Sequence, residues 1–309
     1  MKTVFIDGSA GTTGLRIRER LAAREDIALL TLPEELRRDT AARREALNAA
    51  DIAFLCLPDA AAIEAVSMID NPHTAVIDTS TAHRTNPAWA YGMPELAGGR
   101  ELIAGSKRIA NPGCHASGFI ALVAPLVAAG VLSSHAGLSA FSVTGYSGGG
   151  KSMIAAYGAA ARDPLFDAPR QYALSQSHKH LPEMQALCGL QSAPLFSPIV
   201  ADYYAGMEVT VPIFASQLKG GAEAARAVYR EVYGGGMIRF VEEDGEGGFL
   251  SAAAFAGRDD MEVRVLGNEE RVLLVSRFDN LGKGASGAAI QNMNILLGVP
   301  ENQGLVTGE

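Results

Sequence analysis

The sequence predicts an α/β protein with two domains, the first built on a doubly wound parallel sheet and the second an α+β domain with a mixed or antiparallel sheet. Its 309 residues, of which 48% are hydrophobic, suffice for about two globular cores. Short apolar strands alternate with helical segments over the first hundred or so residues. Longer strands, the last two arranged as a hairpin, dominate the rest of the chain.

The first domain begins with a strand at 3–7, a glycine-rich turn at 8–14 and a helix with apolar residues at Leu15, Ile17 and Leu21. Further strands are expected at 27–32, 51–57 and 75–78, and helices at 33–50 and 59–69. Strands such as AFLCL are apolar almost throughout, which is typical of a parallel sheet covered by helices on both faces. This half is therefore predicted to be a Rossmann domain.

The second domain is predicted from longer strands at 137–145, 207–214, 261–267 and 271–279, with helices at 152–161, 181–187 and 217–233. The last two strands form a hairpin through Gly267–Glu270. The final helix, 287–297, carries apolar residues that need cover, and we expect it to return to the first domain. The predicted domains are thus 1–113 with 285–309, and 114–284.

The charge and cysteine content restrict the class of protein. A net charge of −8 and a pI near 5.3 argue against nucleic acid or an anionic membrane as a partner, because either needs an extended basic surface. No apolar run approaches the ~20 residues that span a bilayer, and the opening KTVFIDG leaves no place for a signal segment. Three cysteines without a CxxC pair suggest neither a disulfide scaffold nor a metal site. We expect a cytoplasmic protein.

The turn GSAGTTG lies between a strand and a helix, with glycines at 8, 11 and 14. Gly8 would permit the tight turn, Gly11 a close approach of a phosphate, and Gly14 close packing of the helix. An ordinary turn that happens to use glycine explains the spacing about equally well. Its position at the start of the chain favours a dinucleotide.

The region after the second strand bears on the choice of cofactor. An acidic residue that would hold a ribose hydroxyl has no clear counterpart at the end of this strand, although Glu34 and Glu35 lie just beyond it. Arg37 and Arg38 are suited to a 2′-phosphate. A solvated helix face explains each arginine at least as well.

Cys114 follows the turn Asn111–Gly113 and precedes an apolar stretch that fits a buried helix. A helix N-terminus lowers the pKa of a thiol, and its N–H groups can hold the oxyanion of a tetrahedral intermediate. Cys56 and Cys188 lie in apolar surroundings and fit the commoner role of a small buried hydrophobe. Cys114 is therefore the candidate nucleophile.

The candidate proton carriers are His178 and His180, in the polar turn before Pro182. Exposed loop histidines are common, and no third residue suggests a metal site. His115 adjoins Cys114 in sequence, but adjacent residues on a helix do not face one another.

Two further glycine-rich segments precede helices. TGYSGGGK at 144–151 lacks the spacing of a P-loop but can cradle an anion near Ser147 and Lys151; a flexible loop is the competing interpretation. DNLGKGASG at 279–287 has an N-terminus suited to a cofactor or phosphate, although its spacing alone does not indicate a role.

Together these segments resemble the short branch of the N-acetyl-γ-glutamyl-phosphate reductases of arginine biosynthesis, within the aspartate-semialdehyde-dehydrogenase-like reductases. The resemblance covers essentially the whole chain, and five ordered motifs are far more specific than any one. They are FIDGSAGTTGLRIRERL, DTSTAHR at 78–84, NPGCHASG at 111–118, SHKHLPE at 177–183 and NLGKGASGAAIQNMN at 280–294.

The resemblance implies that Cys114 is the nucleophile and His178 the general acid/base. It implies NADP as cofactor, bound by Gly8, Gly11, Thr12, Thr13, Gly14, Ser80, Asn280 and Gly282. It implies N-acetyl-L-glutamyl 5-phosphate as substrate, contacted by Arg84, Ser147, Tyr172 and His180. The first domain would bind NADP, and the second would carry catalysis and dimerisation in a homo-oligomer, a dimer or tetramer.

The implied reaction proceeds through a thioester on Cys114, which NADPH reduces to the semialdehyde while His178 handles the proton. One rival is a reductase of another acyl phosphate, such as aspartyl phosphate, with the same cysteine, histidine and cofactor. A second rival is a regulatory protein that binds a dinucleotide without catalysis. The presence of both a cysteine and a histidine in turn and helix-start positions weighs against the second.

Overall fold

The computed structural model describes residues 1–243 and 245–308. These residues fall into two compact units. The first comprises Met1–Pro94, Gly98–Gly113 and Ala285–Leu305. The second comprises Glu95–Ala97, Cys114–Gly284 and the C-terminal residues from Val306.

The strands, in chain order, are β1 (Lys2–Asp7), β2 (Ile27–Leu30), β3 (Ile52–Leu55), β4 (Ala75–Asp78), β5 (Ala90–Tyr91), β6 (Arg108–Ala110), β7 (Ser139–Gly145), β8 (Arg170–Gln171), β9 (Leu195–Ala201), β10 (Met207–Phe214), β11 (Ile238–Phe240), β12 (Met261–Gly267) and β13 (Arg271–Phe278). The α-helices are α1 (Thr12–Leu21), α2 (Thr40–Ala49), α3 (Asp59–Ser67), α4 (Gly99–Ala104), α5 (Cys114–Ala128), α6 (Gly150–Tyr157), α7 (Leu181–Leu187), α8 (Gly221–Val232) and α9 (Gly287–Leu297).

The first unit contains a parallel sheet in the order β2-β1-β3-β4-β6-β5. Every residue of β3 and β4 is buried, as expected for strands covered on both faces. The final helix, α9, adds Ile290 and Met293 to the same apolar cluster as Val4 and Ile77. The predicted doubly wound parallel sheet is confirmed.

Three details of the first unit differ from prediction. Strand β2 ends at Leu30 rather than Leu32. The single helix predicted over 33–50 is wrong: a 3₁₀ turn, Glu34–Leu36, precedes α2, because Asp39 caps α2 by accepting a hydrogen bond from the Ala42 N–H. The prediction also missed β5, α4 and β6, which are too short to carry a recognisable period.

The second unit contains a mixed sheet in the order β11-β12-β13-β10-β7-β9-β8. Strands β12 and β13 form the predicted antiparallel hairpin, while β7 and β9 are parallel. Helix α6 ends at Tyr157 instead of residue 161, and α8 begins at Gly221 instead of residue 217. The prediction missed β8, β9 and β11. In β9, Pro198 argues against a strand on sequence grounds, yet its carbonyl accepts a hydrogen bond from the Tyr172 N–H at 3.0 Å.

Helix α5 is buried along most of its length and contains Pro125. Because proline has no N–H, the carbonyl of Ala121, one turn earlier, loses its helical donor. The Tyr233 hydroxyl donates to that carbonyl at 2.8 Å, and the Tyr229 hydroxyl donates to the neighbouring carbonyl of Leu122. These bonds compensate for the proline and keep α5 continuous from Cys114. No helix in the described part of the chain is both long and apolar enough to cross a membrane.

Candidate active site

Cys114 is the first residue of α5 and is partly exposed. The turn before α9 passes close to it: a methyl group added at Gly284 would lie 2.9 Å from the Cys114 Cβ and 3.1 Å from the Asp279 carbonyl oxygen. Only glycine permits this approach, which fixes the wall beside the thiol. The structure thus agrees with the expected helix start at Cys114.

Three histidines from two segments lie together beside α5. The ring centroids of His178 and His180 are 4.7 Å apart, and each lies 5.5 Å from the centroid of His115. His115 was set aside in the sequence because it does not face Cys114 along a helix. The pattern of a helix does not predict that a loop distant in sequence, here the loop of His178 and His180, packs against the start of that helix.

His115 is buried and hydrogen-bonded at both ring nitrogens. Its Nδ1 lies 2.7 Å from the Ser142 Oγ, and its Nε2 lies 2.6 Å from the Tyr172 hydroxyl. Burial lowers the pKa of His115 to about 3, with smaller contributions from the charges of His178 and Lys179. His115 is therefore neutral near pH 7.

Tyr172 is hydrogen-bonded to His115, the residue that follows the candidate nucleophile Cys114. Burial raises the pKa of Tyr172 above its ordinary value, and the negative charge of Cys114 raises it further. The phenol is thus held protonated near pH 7.

The loop that carries His178 is fastened to strand β9. The Gln176 side chain donates to the Phe196 carbonyl at 2.7 Å and accepts from the Phe196 N–H at 2.9 Å. The His178 Nδ1 accepts a hydrogen bond from the His180 N–H at 3.2 Å. These bonds orient the loop, with His180 as the N-cap of α7.

The glycine-rich segment at 144–151 is an ordered 3₁₀ turn, Tyr146–Gly149, that leads into α6. The Ser147 Oγ accepts a hydrogen bond from the Asn280 amide at 2.9 Å, and the Asn280 carbonyl oxygen accepts from the Gly206 N–H at 2.9 Å. A methyl group at Gly282 would lie 1.9 Å from the Arg258 carbonyl oxygen. Contacts within the chain are thus enough to explain why Asn280 and Gly282 occupy these positions. The predicted contacts of these two residues with the cofactor stay a prediction.

A buried ion pair that the sequence did not reveal lies next to Gly284. The Lys283 ammonium donates to the Glu95 carboxylate at 2.6 Å, with both side chains nearly inaccessible to solvent. Lys283 and Glu95 are far apart in sequence, so no local sequence pattern predicts that they form an ion pair. Removing one partner of such a pair would leave a buried charge uncompensated.

In the first unit, two of the three loop glycines are required by packing. A methyl group at Gly8 would lie 2.2 Å from the Cys56 carbonyl oxygen, and one at Gly14 would lie 2.6 Å from the Gly8 carbonyl oxygen. At Gly11 the nearest atom is 3.5 Å away, an ordinary contact. Gly11 is the N-cap of α1, so the N–H groups of Thr12, Thr13 and Gly14 have no acceptor within the helix. This arrangement fits a phosphate at the helix N-terminus.

A cavity of about 650 Å³ adjoins this loop and is lined by four arginines, Arg18, Arg37, Arg38 and Arg43. Arg43 donates to the buried Asp7 carboxylate at 2.9 Å. Within the described residues, the other three have no carboxylate at salt-bridge distance. These three arginines supply positive charge for an anionic group in an otherwise acidic protein.

Ser80 and Arg84 lie in a turn for which the family resemblance implies contacts with the cofactor and the substrate. The Ser80 N–H and hydroxyl donate to the buried Asp78 carboxylate at 2.9 and 2.7 Å. Arg84 donates to the carbonyls of Asn111 and Thr79, each at 2.9 Å. These bonds brace the segment that leads to Cys114, and the predicted ligand contacts of Ser80 and Arg84 stay predictions.

The chain matches known proteins over nearly its full length. The model of the semialdehyde dehydrogenase NAD binding domain matches residues 22–105, and that of the dimerisation domain matches residues 114–280. An N-acetyl-gamma-glutamyl-phosphate reductase from Brucella ovis is 48% identical over 306 residues, which cover 96% of this chain and 98% of the relative.

Solved structures show the same fold. Aspartate semialdehyde dehydrogenase II from Vibrio cholerae, complexed with ASA, has a TM-score of 0.73 at 18% identity, over 96% of this chain and 98% of that one. The Candida albicans aspartate semialdehyde dehydrogenase with NADP has a TM-score of 0.65 at 14% identity, over 98% and 100%.

We predict that Gly284→Ala lowers the free energy of unfolding by about 1–3 kcal/mol, because the new methyl group forces Cys114 or the Asp279 carbonyl to move. Urea unfolding measures this loss, and mass-mapped alkylation reports the altered access to Cys114. The control is Gly137→Ala, where a methyl group meets no atom within 4 Å. Equal stability of the two variants would contradict the close approach at Gly284.

Proposed function

The chain belongs to the semialdehyde dehydrogenase family, among its N-acetyl-γ-glutamyl-phosphate reductases, and we propose that it reduces N-acetyl-L-glutamyl 5-phosphate to N-acetyl-L-glutamate 5-semialdehyde with release of phosphate. This is the step of arginine biosynthesis that the motifs imply. The observation that carries the proposal is a partly exposed cysteine at a helix start, in a chain 48% identical to such a reductase.

Cys114 is the nucleophile in this proposal. Its thiolate attacks the acyl carbon, the bond from that carbon to the phosphate oxygen breaks, and a thioester remains on Sγ. The backbone N–H groups of the first turn of α5 stabilise the oxyanion. A cytoplasmic location belongs to the proposal, because a reducing compartment keeps the thiol available.

His178 carries the proton. When bound, the nicotinamide supplies the hydride that reduces the thioester. His178 donates a proton to the oxygen of the resulting thiohemiacetal and recovers it as the C–S bond breaks and the Cys114 thiolate returns. The hydrogen bond from the His180 N–H to the His178 Nδ1 supports this role, since it fixes the ring orientation.

We propose NADP as the cofactor. Gly8, Gly11, Thr12, Thr13 and Gly14 would hold the pyrophosphate, with Ser80, Asn280 and Gly282 as further contacts. The N–H groups at the start of α1, after its N-cap Gly11, suit a phosphate. The three arginines without carboxylate partners in the described chain, Arg18, Arg37 and Arg38, suit a 2′-phosphate.

The substrate contacts are assigned in the same way. Tyr172 and His180 belong to the histidine group beside Cys114, and the hydroxyl of Ser147 is fixed by Asn280. These three residues, with Arg84, are the proposed contacts of the acyl phosphate.

We propose further that the chain forms a homodimer through the outer face of the second unit's sheet. The strand register puts four exposed apolar side chains on that face: Phe141, Leu195, Phe214 and Leu273. Apolar patches of this kind mark protein interfaces. The match to a dimerisation domain over residues 114–280 indicates a second copy as the occupant.

The reaction is tested in reverse, by the absorbance of NADPH formed from N-acetylglutamate semialdehyde, NADP⁺ and phosphate. Cys114→Ser is expected to lower kcat by roughly a thousandfold or more, and His178→Gln by about a hundredfold. Cys188→Ala, at a buried thiol whose pKa is raised by burial, is the control and keeps its activity.

Activity with aspartate semialdehyde alone would preserve the mechanism and reject the substrate. Wild-type rates in Cys114→Ser, or no activity with either aldehyde, would refute the reaction.

The double variant Arg37→Ala/Arg38→Ala is expected to raise the KM for NADPH by at least about tenfold and to leave the KM for NADH nearly unchanged, because only NADPH carries the 2′-phosphate. Arg44→Ala is the control, since Arg44 pairs with Asp70 and does not line the cavity. Equal effects on both cofactors would contradict the assignment.

Sedimentation velocity is expected to show a dimer for the wild type and a monomer for Phe141→Asp, because a carboxylate cannot be buried unpaired in an apolar interface. Leu102→Asp, an equally drastic change at an exposed residue of the first unit, should remain dimeric. A dimer in both variants would exclude this face.

A further inference from the structure

Ser142, His115 and Tyr172 form a chain of hydrogen bonds, in which the proposed reaction gives a role to Tyr172 alone, as a substrate contact. Ser142 is fully buried in β7, and His115 is 3% exposed. The Ser142 Oγ lies 2.7 Å from the His115 Nδ1, and the Tyr172 hydroxyl lies 2.6 Å from the Nε2. The chain of bonds therefore runs from the core of the second unit, through the residue that follows Cys114 at the start of α5, to the Tyr172 hydroxyl.

The positions of the hydrogens can be deduced by counting donors and acceptors. Neutral histidine carries one ring hydrogen, so one nitrogen donates and the other accepts. Among the described residues, His115 Nδ1 is the hydrogen-bond partner of the Ser142 hydroxyl. If Nδ1 carried the hydrogen, the Ser142 hydroxyl would be left as a buried donor without an acceptor, which is costly. Ser142 therefore donates to Nδ1, and the ring hydrogen is on Nε2.

This tautomer determines what Tyr172 can do. The Nε2–H donates to the Tyr172 oxygen, so the phenol accepts from His115 and cannot also donate to it. The hydroxyl hydrogen of Tyr172 therefore points away from His115. Tyr172 is only partly buried, and its hydroxyl is held against the ring of the residue that follows Cys114.

We propose that Ser142 and His115 are positioning residues that hold the Tyr172 hydroxyl as a hydrogen-bond donor toward the acyl oxygen of the group carried by Cys114. The inference rests on the proposed function, because that oxygen gains negative charge when the thiolate attacks. A donor fixed before the reaction stabilises such charge without reorganisation. His115 itself exchanges no proton, since both of its nitrogens are occupied and it stays neutral.

The tautomer is measured by long-range ¹H–¹⁵N correlation spectra of histidine-labelled enzyme. The signals of His115 are those lost in His115→Gln. The expected spectrum has the hydrogen on Nε2 and an unprotonated Nδ1. A hydrogen on Nδ1 would overturn the inference, because Tyr172 would then donate to His115.

Kinetics tests the purpose of these hydrogen bonds through a double-mutant cycle. Ser142→Ala is expected to lower kcat roughly tenfold with the KM for NADPH unchanged, because the tyrosine donor loses its orientation. In a Tyr172→Phe background, the same substitution should change kcat less than about twofold. Ser139→Ala, at the start of the same strand and only partly buried, is the control. An equal loss in both backgrounds would indicate a merely structural role and refute the inference.

The two proposals can fail separately. The spectrum needs no substrate, so an inactive wild type rejects the proposed function, whereas a hydrogen on Nδ1 rejects the positioning role in an active enzyme.

Discussion

The structure of the candidate site depends on how the first turn of helix α5 is held. Cys114 begins this helix, so any movement of the turn moves the thiol. The next residue, His115, is hydrogen-bonded to Ser142 in β7 and to Tyr172 after β8, so one buried ring connects the helix start to two segments of the second unit. Further along, the Tyr229 and Tyr233 hydroxyls satisfy the carbonyls near Pro125. These hydrogen bonds restrain the start of α5, as the oxyanion site proposed there would require.

Charge imposes the second constraint, because an acidic chain with a net charge of −8 must bind anionic partners. Two groups of its basic side chains differ in their partners. Arg43 and Lys283 are buried against Asp7 and Glu95 and hold local structure. Arg18, Arg37 and Arg38 line the cavity beside the glycine loop without such partners in the described chain, which concentrates positive charge where an anion is needed.

Local patterns in the sequence were enough to predict the parallel sheet, the β12–β13 hairpin and a helix that begins at Cys114. Local patterns did not predict features that depend on residues far apart in the sequence. Strand β9 is defined by its pairing with β7, more than 50 residues earlier, and Lys283 pairs with Glu95, far away in the sequence. His115 was set aside because a helix directs adjacent side chains apart, although a loop more than 50 residues away converges on it. Local sequence identified His178 and His180 of that group, whereas the position of His115 beside the candidate nucleophile was its one local signal.

The most direct test of the central claim, that Cys114 carries the acyl group, is to mix the enzyme with N-acetyl-L-glutamyl 5-phosphate in the absence of NADPH. If Cys114 is the nucleophile, inorganic phosphate appears in a rapid burst equal to the enzyme concentration, and peptide mass mapping assigns an acyl adduct to the peptide of Cys114. Either the absence of a burst, or an adduct on a residue other than Cys114, would contradict the claim.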